Sequence, residues 1–448
     1  MKKVCIIGNG IAGITAARHI RKQKPASEYS ITVISAETEH FFSRTALMYI
    51  YMGHMLYEHT KPYEDWFWAK NDIHLVKDYV EKVNTREKKL VLSAQGEMSY
   101  DILLLATGSQ GNRAGWPGEN LKGVQGMISK QEIDAMEENT RGIEKGVIVG
   151  GGLIGIEMAE CLHSRHIPVS LLIRESAYWN NILPRQEAEM VSRHICKHGI
   201  DLRENVNFKE IIGDAQGRVK AVTTEEGEEI PCQFVGVTIG VKPNIDFLQG
   251  SGVETERGIL VNEFLETNIP DVYAAGDCAQ HKVAPSGRRN LEQIWYSGRM
   301  QGETVAQTIC GKKMKYIPGV FFNSAKFFDI EYQVYGEINV QPKEDEEQFY
   351  WSNPEKEVAF RVAFEQASGA VKGFNLMGIR YRHEVCARWI KEKKNISEVM
   401  AHLKEANFDP EFHKRYEKEM IQHFNEQFPK RAVQPDRKKN PVAAFFGF

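Results

Sequence analysis

Apolar and polar positions fall into two matching phrases along the chain. In "KVCIIGNGIAGITAARHI", Lys3 to Ile20, a short apolar run breaks at a glycine-rich turn and gives way to a helical pattern. "GVIVGGGLIGIEMAECL", Gly146 to Leu162, repeats the design. Adding 142 to positions 8, 10 and 13 turns Gly8, Gly10 and Gly13 into Gly150, Gly152 and Gly155. Each phrase predicts strand, turn and helix. Each then runs on into a second β-rich stretch, "YSITVIS" and "IPVSLLI", as a buried parallel sheet requires.

Between the phrases, "KKLVLSAQGEMSYDILLLATGS" predicts two strands separated by a turn at Gln95-Gly96, the second apolar enough to be central. "GVETERGILVNEFLETNIPDVYAAGDCA" repeats that layout and ends at Gly276-Asp277. The simplest arrangement inserts one nucleotide-binding unit into another, leaving the first near Asn112 and returning near Pro243. The domains are then 1–112 with 244–318, and 113–243. From about Phe321 the pattern changes. "EVAFRVAFEQASGAVKGFNLMG" alternates about a Ser368-Gly369 turn and predicts an antiparallel hairpin in a small α+β domain, 319–381. Residues 382–448 predict a helical extension and then a tail, "PKRAVQPDRKKNPVAAFFGF", whose proline and charge density suits an extended segment. The fold class expected is α/β, with two Rossmann-like domains and the small C-terminal domain.

Composition narrows the function. A chain of 448 residues, 42% hydrophobic, has room for two or three cores. A net charge of −3 offers no basic field for a polyanion, which argues against nucleic acid. The closest two of the seven cysteines, Cys278 and Cys310, are 32 positions apart, so no iron–sulfur cluster or sequence-local redox disulfide is encoded, and no metal is expected. The apolar run after "MKK" stops at Gly8, and no segment reaches the roughly 18 apolar residues of a membrane span. A cytoplasmic protein with reduced thiols is expected.

A glycine turn that follows a strand and opens a helix lets backbone approach a pyrophosphate, and the helix N-terminus presents free N–H groups to it. After the first turn, "VISAETE" offers Glu37, with Glu39 as fallback, to accept hydrogen bonds from adenosine ribose hydroxyls. After the second, "LLIRES" offers Arg174 and Glu175. A guanidinium suits the 2′-phosphate of NADPH and a carboxylate the ribose of NADH. Both nucleotides stay open, with Arg174 tipping the reading toward NADPH.

The ordered set "GNGIAG", "FFSR", "LLLATGS", "GGGLIGIE", "GVKPN" and "DVYAAGDCA" resembles the FAD-dependent pyridine nucleotide–disulfide oxidoreductase superfamily over roughly residues 1 to 320. The resemblance implies FAD on the first unit and NADH or NADPH on the second. It implies that Thr107 and Gly108 border the FAD, that Asp277 hydrogen-bonds its ribityl and pyrophosphate region, and that the backbone at Val80 meets the adenine. In "LEQIWYSGRMQG" it makes Trp295 and Tyr296 neighbours of the flavin. Hydride transfer from nicotinamide to flavin N5 then needs mainly alignment, at about 3 to 3.5 Å, and no general base.

"EHFFSRTALMY" decides the branch. The thiol-dependent members carry a cysteine facing the flavin near here, where this chain has Ser43-Arg44-Thr45-Ala46. Phe42, Arg44 and Leu47 resemble instead the pattern of ferredoxin and rubredoxin reductases, the reductase part of nitrite reductases, and apoptosis-inducing factor. That pattern implies that Arg44 neutralises the FAD pyrophosphate. Its lysine, the partner of the glutamate at Glu157 beside the nicotinamide, is replaced by Tyr49, so Glu157 and Tyr49 are the candidate catalytic pair. The expected activity is an FAD-dependent NAD(P)H reductase passing electrons to a ferredoxin- or rubredoxin-like protein. The alternatives are a peripheral NAD(P)H:quinone reductase and a redox sensor like apoptosis-inducing factor. The hairpin resembles the family's interface domain, which implies a nearby acceptor or a second subunit in a homodimer. The basic tail suits an acidic partner protein or an anionic membrane surface.

Overall fold

A computed structural model of the chain describes residues 1–408 and 414–434, so the final aromatics of the tail lie outside the described residues. The first glycine phrase builds the centre of a five-stranded parallel sheet. Its strands run Val272–Ala274, Ile102–Leu105, Lys2–Ile7, Tyr29–Ser35, Ile73–Lys77 across the sheet. Ile102–Leu105 is wholly buried, which is why four consecutive apolar residues serve where an alternating strand would not. Helix Ile11–Gln23 follows the first turn, and helix Trp295–Ile309 lies against it. A Cβ on Gly302 would come within 2.5 Å of the Ala12 carbonyl oxygen, so only glycine permits this helix approach.

The second phrase builds a second five-stranded parallel sheet, ordered Asp201–Arg203, Val169–Leu172, Gly146–Val149, Phe234–Val237, Val124–Gln125. Strands Ser109–Gly111 and Val241–Pro243 pair antiparallel where the chain passes toward this sheet and back. One local expectation needs amendment. The turn at Gln95-Gly96 joins Lys89–Leu92 to Gly96–Ser99 in a separate antiparallel sheet with Val80–Asn84, and only the next strand, Ile102–Leu105, is central.

By contacts the chain forms two compact units. One holds Met1–Ser176 and Gly199–Pro318; the other holds Ala177–His198 and the described residues from Gly319 on. In the latter, strands Phe322–Phe327, Ile330–Gly336, Val371–Met377, Val358–Glu365 and Glu346–Asn353 form one antiparallel sheet in that order. The helical extension is part of the same core: Trp389, Met420 and Phe424 pack with Phe349, Phe360, Phe364 and Phe374. Helix Arg185–Lys197 joins them through a buried ion pair, in which Arg361 donates to both carboxylate oxygens of Glu187 at 2.5 and 2.6 Å. The start of the tail is held as well. Ser397 Oγ donates to the Arg431 carbonyl at 2.9 Å, and Asn425 exchanges hydrogen bonds with Val433.

Candidate functional site

The glycine turns divide their labour among their three glycines. Gly8 sits at φ +112°, and a Cβ there would meet the Ala106 carbonyl oxygen at 2.1 Å; one on Gly13 would meet the Gly8 carbonyl oxygen at 2.0 Å. Gly10, between them, has nothing within 4 Å of a built Cβ. The outer glycines are demanded by the protein's own backbone, and the middle one keeps a surface open. Gly10 is also the N-cap of Ile11–Gln23 and no side chain caps the helix, so its first amides face that surface. In the second turn Gly150 (φ +123°) and Gly155 are crowded at 2.4 and 2.5 Å, while the nearest atom to a Cβ on Gly152 lies at 4.0 Å.

A cavity of about 800 Å³ extends along the first turn. Its wall includes Glu37, Arg44, Val80, Gly8, Gly10, Thr107, Gly108, Asp277 and Trp295, and also Leu153, Ile154 and Glu157 at the start of the second glycine helix. Size and lining suit a dinucleotide: an open glycine face and uncapped amides for phosphates, carboxylates at Glu37 and Asp277 for hydroxyls, and an aromatic wall at Trp295. Asp277 is enclosed by protein yet faces the cavity. Burial pushes its pKa up, and Ser109 Oγ donates to it at 3.1 Å.

Two expected residues engage each other. Arg44 was expected at a pyrophosphate, but its guanidinium lies on Glu37, at 3.1 and 2.5 Å, and also donates to the Ile128 carbonyl oxygen. Glu37 accepts a further bond from the Lys130 amide at 2.8 Å. A fork of parallel donors matches a carboxylate as well as it matches a phosphate, and Glu37 is seven residues away. Both side chains still line the cavity.

Glu157 lies in the wall, and burial, with repulsion from Glu160 second, pushes its pKa up to about 7. Tyr49 is not brought into the wall. Its ring stacks on His54, centroids 6.1 Å apart, and its neighbours Leu47 and Met48 face the cavity instead. No hydrogen bond or ion pair links Glu157 to any described residue. Tyr296 is likewise outside the wall and packs edge-on against Trp295 at 5.3 Å.

At the second turn the two charges meet, Arg174 Nε donating to Glu175 Oε1 at 3.2 Å, but they differ in exposure. The Arg174 side chain is 81% exposed and that of Glu175 only 21%. A Glu175 carboxylate oxygen lies 3.4 Å from a Cβ built on Gly151, inside the glycine turn. No cysteine lines the cavity among the described residues; Thr45 stands in the wall at the branch-deciding segment. Sequence reasoning missed Ser129, Gln131, Asn244 and Gln293, all in the wall. The last two lay within motifs already singled out, "GVKPN" and "LEQIW", whereas nothing local marks Ser129 and Gln131.

Nitrite reductase [NAD(P)H] of Bacillus subtilis is 29% identical over 75% of this chain, and the match spans only 41% of that relative. Rubredoxin-NAD(+) reductase of Acinetobacter baylyi is 30% identical over 62% of this chain and 72% of its own length. Among solved structures, an NAD-dependent persulfide reductase from A. fulgidus superposes with a TM-score of 0.84 at 23% identity, covering 96% of this chain and 83% of that one. Among the described residues no helix is long and apolar enough to cross a membrane. Residues 2–302 match the pyridine nucleotide-disulphide oxidoreductase family, and the chain belongs to that family, whose members are FAD-containing NAD(P)H oxidoreductases.

Proposed function

We propose that the protein is an FAD-dependent reductase that takes reducing equivalents from NADH and passes them singly to a small ferredoxin- or rubredoxin-like protein. The observation that carries this reading is the shared cavity: the first glycine turn and the head of the second glycine helix wall one space, and among the described residues no thiol stands in it. Bound FAD would supply the conversion between a two-electron donor and a one-electron acceptor. Around it, Gly10 and the first amides of Ile11–Gln23 would hold phosphate, Asp277 would accept from hydroxyls, and Trp295 would exclude water from one side. Glu157 would border the nicotinamide.

NADH is favoured because the more buried residue at the second turn is Glu175, which lies against Gly151 and suits two ribose hydroxyls, while the exposed Arg174 spends its guanidinium on Glu175 at 3.2 Å. A redox-protein acceptor is supported by the rubredoxin-reductase relative and by Thr45 in the wall where thiol chemistry would need a cysteine. The sensor reading has one observation of its own, since Glu157 has no basic partner among the described residues.

Anaerobic stopped-flow reduction by NADH and, separately, NADPH tests the proposal. Flavin bleaching within milliseconds by NADH, followed by reoxidation accelerated by ferredoxin or rubredoxin, is the expected result. Bleaching over minutes with a long-lived charge-transfer band would replace it with the sensor reading.

A further inference from the structure

Far along the chain from the glycine turns, helix Arg185–Lys197 and its C-cap carry two histidines four residues apart, His194 and His198, on one helix face. Asp329, in the turn between Phe322–Phe327 and Ile330–Gly336, meets them both. Its Oδ1 lies 2.5 Å from His194 Nε2 and 3.5 Å from His198 Nε2. One ligating atom from each of the three residues falls within 4.8 Å of the others.

The protonation states follow from the partners. His198 Nδ1 lies 3.0 Å from the His194 carbonyl oxygen. A carbonyl only accepts, so Nδ1 carries the hydrogen and Nε2 turns a lone pair toward the carboxylate. His194 Nε2, hydrogen-bonded at 2.5 Å to the Asp329 carboxylate, carries the hydrogen of that contact, while Nδ1 lies 2.9 Å from Glu357 Oε1 without the alignment of a hydrogen bond. Two imidazole nitrogens and a carboxylate oxygen therefore converge on one small volume, and a metal ion entering it would replace the hydrogen between His194 and Asp329, leaving His194 protonated at Nδ1 beside Glu357. A proton on His194 satisfies one contact; a metal ion satisfies all three.

The surroundings hold this arrangement in place. Phe328 and Glu357, the residues that set the two carboxylates, both have positive φ, 54° and 52°, uncommon for side chains of this size. The Phe328 ring stacks on His198 at 4.3 Å and 16°. His194 is 1% exposed, whereas the Asp329 side chain is 74% exposed, so the cluster is rigid on one side and accessible on the other.

We propose that His194, His198 and Asp329 form a binding site for a divalent metal ion of the zinc class, with water as the fourth ligand and Glu357 orienting His194. Two imidazoles and a carboxylate suit zinc, with bonds of about 2.0–2.2 Å, and rotation of the exposed Asp329 side chain opens the donors to that spacing. Bound metal would tie the histidine helix to the hairpin turn within this unit, a role independent of the flavin reaction.

The test uses the full, FAD-loaded chain, stripped with chelator and titrated with zinc alone against a chromophoric chelator. One zinc per chain is expected, with a raised unfolding midpoint. His198→Ala and Asp329→Asn, both at accessible positions, should weaken binding about ten-fold or more and abolish the midpoint shift while keeping their flavin. Cys196→Ser, between the histidines and exposed, should bind as the parent does. No retained zinc at micromolar concentration, equal binding by the two ligand variants, or loss of binding in Cys196→Ser would each overturn the proposal, the first leaving the His194–Asp329 hydrogen bond alone.

Discussion

Gly8 and Gly150 sit at φ +112° and +123°, and a Cβ on either would strike the carbonyl oxygen of the neighbouring strand's end, Ala106 at 2.1 Å or Thr238 at 2.4 Å. At this level the two nucleotide cradles are copies. They part where the next strand ends. In the first, Glu37 is gripped by Arg44 and the Lys130 amide, and the following strand, Ile73–Lys77, stays in the same sheet. In the second, Glu175 lies against its glycine turn with the largely exposed Arg174 paired to it at 3.2 Å, and the chain then leaves for the other compact unit over Ala177–His198 before returning as Asp201–Arg203. Turn geometry follows from local sterics and survives duplication; the side chains that choose a nucleotide depend on what packs around the strand end.

The largest effect expected concerns that excursion. Glu187→Ala leaves Arg361 buried without its carboxylate, and breaking a buried pair this way costs about 3–5 kcal/mol. Denaturant unfolding followed by tryptophan fluorescence should show the loss, with flavin absorbance reporting whether the first cradle unfolds in the same step. Gly13→Ala should come next. Its Cβ would lie 2.0 Å from the Gly8 carbonyl oxygen, an overpacking worth about 1–3 kcal/mol, and the protein should purify largely without flavin. Gly10→Ala, with room for its Cβ, should leave the apoprotein's midpoint unchanged and weaken FAD binding about ten-fold. Unchanged FAD affinity in that variant would break the parallel drawn between open middle glycines.

Smaller effects sharpen the second cradle. Glu175→Ala should raise KM for NADH about ten-fold, in keeping with loss of hydrogen bonds to a charged group, whereas Arg174→Ala should change it less than about two-fold. The reverse order in steady-state kinetics would restore the NADPH reading. Glu157→Gln should show in pH dependence. The native pKa is raised to about 7 against an ordinary 4.5, so the folded protein is penalised as pH rises through that window and the carboxylate ionises. Replacing it should stabilise the protein by about 1 kcal/mol more at pH ~8.5 than at pH ~5.5, after allowing for its opening onto the cavity.

Much of this was legible in advance where the cause is local. Both sheets grow from the glycine phrases, and the hairpin turns at Ser368-Gly369 as the alternation implied. Asp277, Thr107, Gly108, Val80 and Trp295 reach the cavity because the backbone around them is set by strand ends. Tyr49 and Tyr296 do not, since short-range pattern says which residues neighbour a site but not which side of a helix turns inward. The His194–His198–Asp329 cluster was not read from the sequence at all, since Asp329 is more than 130 positions from the histidines and only folding brings it to them.

By itself, then, the sequence determined the two βαβ units, because hydrophobic periodicity and steric demand at Gly8, Gly13, Gly150 and Gly155 act over a few residues. Tertiary structure alone decided that Arg44 grips Glu37, that Glu175 and not Arg174 faces its turn, and that Ala177–His198 packs with the C-terminal sheet. Those outcomes depend on burial and on charge partners brought from distant parts of the chain, where pairing is chosen by geometry that no local pattern encodes.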